Sequence, residues 1–209
     1  MHTIRIQLND AGKRFNRDWI FRHLTYSFTS GNSYAITGPN GSGKSTLLQA
    51  IAGSIELNEG LMDYVDEKSG VKNIEDVFQS IAVVAPYLEL IEEMTATEFL
   101  QFHGRFKPMV EALSIQDILS VVGLAKAANK QVRHFSSGMK QRLKLAQAIF
   151  SRVPVLLLDE PCTNLDAAGY QLYHQLIEEY CSQKLIIVSS NDPQEMDFCR
   201  ERLRVEEMK

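Results

Sequence analysis

Regular alternation of apolar and polar residues predicts two strands near the beginning of the chain. Ile4, Ile6 and Leu8 are separated by polar residues, and the same spacing recurs at residues 24, 26 and 28. Because successive side chains of a strand point to opposite faces of a sheet, each segment is typical of an antiparallel strand with one buried face. Together they predict an antiparallel β subdomain near the N-terminus.

Four further segments are short and predominantly apolar, and each predicts a strand. They are Ser33–Thr37, Ile81–Ala85, Val155–Leu158 and Leu185–Val188. Val155–Leu158 is one continuous apolar segment, which is typical of a central parallel strand covered on both faces. These segments therefore predict a parallel sheet.

Helical patterns lie between these strands. One helix is expected from about Lys44 to Ala52, and Gly53 is placed to end it. Asp192 carries another helix-start signal, because a proline follows at the first helical position and an acid in the first turn. A further helical face is formed by Leu172, Leu176, Ile177 and Tyr180.

Residues from about 87 to 135 predict a helical insert. Thr95 and Glu98 match a capping box, and an apolar helical pattern continues through Phe102. Ser114 is suited to open a second helix that ends near Gly123. Because strand–helix alternation resumes afterwards, the predicted fold class is α/β, with a helical subdomain inserted into the core. We expect a single domain with its core in residues 1–86 and 136–209.

Composition limits the classes of function. The 209 residues are 44% hydrophobic and 23% charged, as in an ordinary globular protein, and the net charge of -4 does not indicate a nucleic-acid partner. No apolar segment reaches the length of a membrane span, and the N-terminal residues lack the apolar core of a signal peptide. We therefore expect a cytosolic protein, in which Cys162, Cys181 and Cys199 are reduced thiols.

Residues Gly38–Thr46 fit the pattern G-x-x-x-x-G-K-[ST] of a phosphate-binding loop (P-loop) between a predicted strand and a predicted helix. Glycines let main-chain N–H groups curve around an anion, and the following helix directs the positive end of its dipole at the phosphates. Lys44 is expected to reach the β- and γ-phosphates of ATP, and Ser45 to ligate Mg²⁺. The candidate ATP-binding residues are Gly38, Asn40, Gly41, Ser42, Gly43, Lys44, Ser45 and Thr46. The core is thus predicted to be of the P-loop NTPase type.

Two adjacent carboxylates, Asp159 and Glu160, end the apolar segment Val155–Leu158. A strand end beside a P-loop is where Mg²⁺ is held, so Asp159 is expected to bind the metal, directly or through water. Glu160 is placed to polarise the attacking water as a general base. Alone the pair is a weak signal, and the complete P-loop makes it informative.

The segment Phe135–Leu143 reads F-S-S-G-M-K-Q-R-L, and Thr163–Asp166 reads T-N-L-D. With the P-loop and the acidic pair, these motifs make the chain resemble the ATP-binding-cassette (ABC) ATPase family over almost its whole length. Phe135–Leu143 is similar to the family signature LSGGQ, with Ser136 and Gly138 matching and positions 137 and 139 departing. Thr163–Asp166 is similar to the family's D-loop.

The resemblance implies a dimer around two MgATP. Ser136 is suited to cap a helix through about Phe150, so its hydroxyl and the first N–H groups form an anion site. In the family this site, with Gly138, faces the γ-phosphate held by the other subunit. The resemblance also implies that Phe15 stacks on adenine, with Trp19 as the rival, although each aromatic is also compatible with a packing role.

Two positions depart from the family. The family has a Gln where the helical subdomain begins and a His after its last buried strand, where this chain has Tyr87 and Asn191. A phenol is bulkier than an amide, and Asn cannot become cationic. Both residues are therefore candidate γ-phosphate contacts that are altered, and we expect normal ATP binding with slower hydrolysis.

The resemblance implies one main function and two alternatives. The main one is the ATPase subunit of a transporter. It is expected to form a homodimer, to be peripheral on the inner face of the cell membrane and to dock on separate transmembrane permease subunits. Its length is reminiscent of small export ATPases such as the haem-exporter type. The alternatives are a soluble ABC ATPase of the cluster-assembly type and an ATP-gated regulatory subunit with little hydrolysis.

Overall fold

A computed structural model describes residues 3–67, 70–72 and 74–208 of the chain. The strands in these ranges are β1 (Ile4–Phe15), β2 (Asp18–Thr29), β3 (Ser33–Thr37), β4 (Glu59–Asp66), β5 (Gly70–Lys72), β6 (Ile81–Val84), β7 (Val155–Asp159), β8 (Leu185–Ser189) and β9 (Glu201–Arg204). The helices are α1 (Lys44–Ile51), α2 (Ile74–Val77), α3 (Ala96–Phe106), α4 (Ile115–Val121), α5 (Ser137–Ile149) and α6 (Ala167–Tyr180).

The predicted antiparallel strands are confirmed, and they belong to a sheet with the order β2-β1-β4-β5. Ile6 of β1 lies opposite Phe28 of β2 on one side and Tyr64 of β4 on the other. The strand β1 continues far beyond Leu8, because register shifts around Asp10, which has a φ of 50°, interrupt the alternation without ending the strand. The alternating apolar side chains are buried, except Tyr26, which is partly buried.

The parallel sheet is also confirmed, with the order β6-β7-β8-β3-β9. The pairs β7–β8, β3–β8 and β3–β9 are parallel. Every residue of β7 and β8 is buried, which is why their sequences are continuous apolar segments. Because the carboxyl ends of parallel strands lie at one edge of the sheet, this edge carries the residues that follow β3, β7 and β8.

The chain divides into two compact units. The first comprises Met1–Val83, Pro154–Glu160 and Gln183–Lys209, and the second comprises Val84–Val153 and Pro161–Ser182. In the first unit, apolar side chains of both sheets and of α1 form one core, with Phe21, Phe28 and Leu47 fully enclosed. The boundary of the helical subdomain at residues 87 and 135 stays a prediction.

The second unit contains α3 to α6. Thr95 and Ser114 form the capping boxes expected at the starts of α3 and α4, with Glu98 and Asp117 as the reciprocal partners. The helix α3 extends to Phe106, one turn beyond the predicted end. Among the described residues, no helix has both the length and the hydropathy that a transmembrane span requires.

One predicted helix is wrong. The signal at Asp192 leads only to a single 3₁₀ turn over Pro193–Glu195. The Asp192 side chain does accept a hydrogen bond from the Gln194 N–H, so the cap itself forms. The chain after this turn contains no apolar helical face and enters the edge strand β9 instead.

Candidate functional site

The P-loop joins β3 to α1 through glycines in the left-handed region. The φ angles of Gly38, Gly41 and Gly43 are 148°, 79° and 107°. At position 43 a Cβ would lie 2.1 Å from the Ile20 side chain of β2, so a side chain there meets both backbone strain and a steric clash. The glycines therefore allow the loop from β3 to α1 to turn tightly and to pass close to β2.

Lys44 is buried at the centre of this loop. Its Nζ donates hydrogen bonds to the Gly38 carbonyl at 2.7 Å and to the Pro39 carbonyl at 3.2 Å. A lysine has three donors, and both of these partners, among the described residues, are uncharged main-chain carbonyls. The ammonium is thus directed by the loop itself and is available for an anion.

The residues of the P-loop fit a triphosphate. Ser42 Oγ is buried and has no hydrogen-bond partner among the described residues, which is costly unless a ligand supplies one. The N-cap of α1 is Gly43, which makes no side-chain cap, so the first N–H groups of the helix, including those of Ser45 and Thr46, need an outside acceptor. An unpaired hydroxyl, open helix amides and a buried cation together favour a phosphate group.

The acidic pair lies at the end of β7, on the same edge of the sheet as the P-loop. Asp159 is buried, and the Ser189 hydroxyl of β8 donates to its Oδ1 at 2.7 Å. Glu160 is exposed, its N–H donates to the Ser189 carbonyl at 2.9 Å, and its φ is 44°. The left-handed backbone at Glu160 turns the chain sharply, so the two neighbouring carboxylates have different surroundings.

Asn191 contacts the P-loop directly. Its Nδ2 donates to Asn40 Oδ1 at 3.0 Å, and both side chains are exposed. The structure therefore brings Asn191 together with the P-loop in the first unit, as the carboxyl-end rule for parallel strands predicts.

The two aromatic candidates for adenine stacking differ in their surroundings. Two guanidinium groups lie near the Trp19 ring, with Arg22 at 4.5 Å and Arg14 at 5.3 Å from its centroid. The Phe15 ring is 49% exposed, and Lys13 Nζ lies 5.2 Å from its centroid. Because Trp19 is only partly exposed, Phe15 is the more accessible aromatic surface, and its stacking role stays a prediction.

In the second unit, Ser136 caps α5 as predicted. Its Oγ accepts a hydrogen bond from the Met139 N–H at 3.3 Å. At Gly138 a Cβ would lie 3.1 Å from the Asn164 carbonyl, so a larger residue would press on the D-loop. A cavity of about 460 Å³ adjoins this helix start, and Lys126 and Arg142 are the cations that line it.

Tyr87 lies in an exposed segment of the second unit, next to α5. Its side chain is 49% exposed. The preceding carbonyls, those of Ala85 and Pro86, accept hydrogen bonds from Lys144 Nζ at 3.2 and 3.1 Å. The position of Tyr87 therefore depends on a lysine of the helix that Ser136 caps.

A sequence profile of the family described as ABC transporter matches residues 21–163, which is more than half of the chain. The matched range contains the P-loop, Ser136 and the acidic pair. The chain belongs to the ABC transporter family. Members of this family are ATPases that bind ATP, generally with Mg²⁺, and their ATP-binding subunits typically pair with transmembrane permease subunits.

Relatives of this ABC protein cover most of its length. YybJ of Bacillus subtilis (strain 168), an ABC transporter ATP-binding protein, is 32% identical, with 91% of this chain and 87% of YybJ covered. The cytochrome c biogenesis ATP-binding export protein CcmA of Rhizobium meliloti (strain 1021) is 29% identical, with 90% of each chain covered. The bacitracin transport ATP-binding protein BcrA of Bacillus licheniformis is 29% identical, and this chain spans 61% of its length.

Solved structures show the same fold. An ABC transporter ATP-binding protein from Pyrococcus furiosus superposes with a TM-score of 0.83 at 21% identity, covering 98% of this chain and 99% of that chain. An ATP-binding subunit of an ABC transporter gives a TM-score of 0.81 at 22% identity, covering 95% and 85%. The predicted fold class of this ABC protein is therefore confirmed.

Sequence analysis missed two polar residues at the site of this ABC protein. Ser189 is not singled out by any motif, although pairing β7 with β8 places it directly opposite Asp159. Lys144 also lies outside every motif, yet it is half-buried and donates hydrogen bonds to two main-chain carbonyls. The register of the sheet offers a signal for Ser189, whereas the contacts of Lys144 depend on tertiary structure.

Proposed function

We propose that this chain binds and hydrolyses ATP as the energy-supplying subunit of a transporter, in a homodimer that closes around two MgATP and drives membrane partner subunits. The observation that carries the proposal is the P-loop, where buried Lys44 lies at the sheet edge that also carries Asp159, together with the Ser42 hydroxyl, for which the described part of the chain supplies no hydrogen-bond partner. In this proposal the protein is cytoplasmic and peripheral on the inner face of the cell membrane.

The roles of the residues follow from their chemistry. The amides of Gly41–Thr46 and the Lys44 ammonium bind the phosphates, while Ser45 and Asp159 hold Mg²⁺, which supplies charge neutralisation when bound. Ser189 donates to Asp159 and keeps one oxygen of that carboxylate fixed. Glu160 accepts a proton from the attacking water as its oxygen bonds to the γ-phosphorus, and ADP leaves with the bridging oxygen.

Asn191 and Tyr87 are proposed to contact the γ-phosphate or the attacking water in this mechanism. The amide of Asn191 is oriented by Asn40 of the P-loop, which supports a position near the phosphates. The neutral amide of Asn191 makes a weaker contact to a developing charge than the cationic form of the family's His does, and the phenol of Tyr87 is bulkier than the family's Gln. We therefore propose that hydrolysis is slower than is typical of the family, with ATP binding unaffected.

Replacing Asn191 by His tests the slow-hydrolysis proposal. We expect Asn191→His to raise kcat severalfold at pH 6 and less at pH 8, because an imidazole with an ordinary pKa of about 6.5 is cationic only at the lower pH. Phosphate release at both pH values measures kcat, and Asn129→His, at an exposed residue, is the control. A parent turnover typical of the family, or a variant without pH-dependent gain, would contradict the proposal.

The dimer is proposed from Ser136 and Gly138. The hydroxyl cap, the open amides of α5 and Lys126 of the adjoining cavity suit a phosphate brought by a second copy, whereas Arg142 in that cavity is already paired with Asp166. Phe15 is proposed to stack on the adenine of the ATP bound by its own P-loop.

The transport partners are testable by co-purification. The names of CcmA and BcrA, an export protein and a transport protein, support a transporter role for this chain. We expect the tagged chain, purified from detergent-solubilised membranes, to bring down a transmembrane subunit, and Lys44→Ala to leave that association intact. A chain that is recovered alone, or with soluble cluster-assembly proteins, would favour the soluble alternative.

An ATP-gated regulatory subunit is the second candidate, because Tyr87 and Asn191 replace two groups that act on the γ-phosphate. This candidate requires that ATP closes the dimer without being consumed. It predicts that the parent has almost no turnover and that removing the general base changes nothing. Loss of measurable ATPase activity in Glu160→Gln, with ATP binding retained, would contradict it.

A further inference from the structure

Two lysines of α5 hold the segment that contains Tyr87. Lys144 Nζ donates to the carbonyls of Ala85 and Pro86, and Lys140 Nζ forms an ion pair with Glu92. Residues four apart lie on the same face of a helix, so both lysines face the segment 85–92 from one side. The segment is thus attached to α5 on either side of Tyr87.

A cavity of about 420 Å³ adjoins this segment and α5, and both lysines, the carboxylates Glu89 and Glu92, and the apolar Leu88 and Leu90 line it. Ala85 and Leu90 are buried, whereas Tyr87 between them is 49% exposed. The hydrogen bonds from Lys144 to the carbonyls of Ala85 and Pro86 therefore act on the backbone immediately before the exposed Tyr87.

The contact of Lys144 is the more constrained of the two. Lys144 is half-buried, and burial lowers the pKa of its ammonium, as does the neighbouring charge of Lys140. The ion pair of Lys140 is more solvent-exposed, and such pairs contribute little to stability. The proline ring fixes the φ angle of Pro86 and restricts the backbone of residue 85. Because Lys144 also binds the carbonyls of both residues, few backbone dihedral angles before Tyr87 remain free to change.

We propose that Lys144 is a positioning residue, which sets the location of Tyr87 relative to the Ser136 end of α5 through the carbonyls of Ala85 and Pro86. The proposal deepens the proposed function, because the catalytic role of Tyr87 belongs to that function. Ser136 and Lys144 belong to one helix. A nucleotide bound at the start of α5 is therefore connected to Tyr87 through the helix and the hydrogen bonds of Lys144. Loss of the Lys144 ammonium releases this link without touching the P-loop.

Hydrogen exchange of the nucleotide-free protein tests the positioning directly. Lys144→Met keeps most of the apolar stem and removes the donors, so we expect amides of residues 87–92 to exchange roughly 10-fold faster, because the segment opens locally. Residues 115–121 of α4 should be unchanged. Lys144→Arg should restore part of the protection, and Lys130→Met, at an exposed lysine, is the matched control. Unchanged exchange in Lys144→Met would overturn the proposal.

A double-mutant cycle tests whether Lys144 acts through Tyr87. We expect Lys144→Met to lower kcat roughly 10-fold while the Kd for MgATP stays unchanged, and to have no further effect in a Tyr87→Phe background, because coupled residues are not additive. Effects that multiply would overturn the proposal, since Lys144 would then act independently of Tyr87. Failure of the parent to bind MgATP would refute the proposed function alone, because the exchange experiment needs no nucleotide.

Discussion

Glu160→Gln is expected to lower kcat for ATP hydrolysis by about 100-fold or more, because general acid–base groups contribute roughly 10²–10⁴-fold. The amide has nearly the same shape as the carboxylate but cannot accept the proton of the attacking water. Glu160 is exposed at the end of β7, so the substitution removes no buried contact. Phosphate release measures kcat, and calorimetry with MgATP should give an unchanged Kd.

The matched control for Glu160→Gln is Glu178→Gln, at an exposed residue of α6. We expect this control to keep the turnover of the parent. Because product formation would be blocked, Glu160→Gln should also accumulate an ATP-bound dimer, visible as a shift in mass by light scattering. Turnover equal to the parent would show that Glu160 is not the general base.

Lys44→Ala is expected to weaken MgATP binding by about 10- to 100-fold, since hydrogen bonds to charged groups are worth roughly 1.5–3 kcal/mol. The Lys44 ammonium is buried, and the Gly38 and Pro39 carbonyls orient it. Its removal therefore deletes the buried cation of the P-loop. Calorimetry with MgATP measures the change in Kd.

The loss of binding in Lys44→Ala must be separated from a loosened loop, because the same ammonium holds two carbonyls of the P-loop. Lys44→Met keeps the apolar stem and should bind as weakly as Lys44→Ala, with a melting temperature closer to the parent. Lys130→Ala removes an exposed lysine and should leave the Kd unchanged. A Lys44→Ala variant that binds as tightly as the parent would refute the assignment of this loop.

The parts of the fold that were predictable have local signals. The segments that became β7 and β8 are apolar throughout because both faces of the parallel sheet are covered, and the capping box at Thr95 is complete within four residues. The P-loop is similarly local, since glycines, lysine and serine are adjacent in the chain. These elements were therefore predicted with nearly correct bounds.

The parts that were missed depend on distant pairing. The strand β4 reads E-G-L-M-D-Y-V-D, with Leu61 exposed and only Tyr64 and Asp66 buried, so no clean alternation marks it. It is a strand because it pairs with β1, which lies some fifty residues earlier in the chain. The short edge strand β9 pairs with β3 alone and has one buried residue, Leu203.

Candidate site residues show the same division. The sequence order of Asn40 and Asn191 places them far apart, yet the carboxyl ends of β3 and β8 bring them into contact. The contact between Asn40 and Asn191 can be predicted once a parallel sheet is predicted. The choice between Phe15 and Trp19 cannot be predicted in this way, because it depends on how far each ring is exposed in the folded chain, which no local pattern reveals.

The left-handed φ of 44° at Glu160 has a consequence for how this protein can change. A side chain other than glycine or asparagine in that region costs of order 1 kcal/mol or more, so glycine would relax the backbone there. The residue that best relaxes the backbone at position 160 and the residue that the proposed mechanism requires there are therefore different. Selection for heat resistance alone would favour loss of the carboxylate that serves as general base in the proposed function.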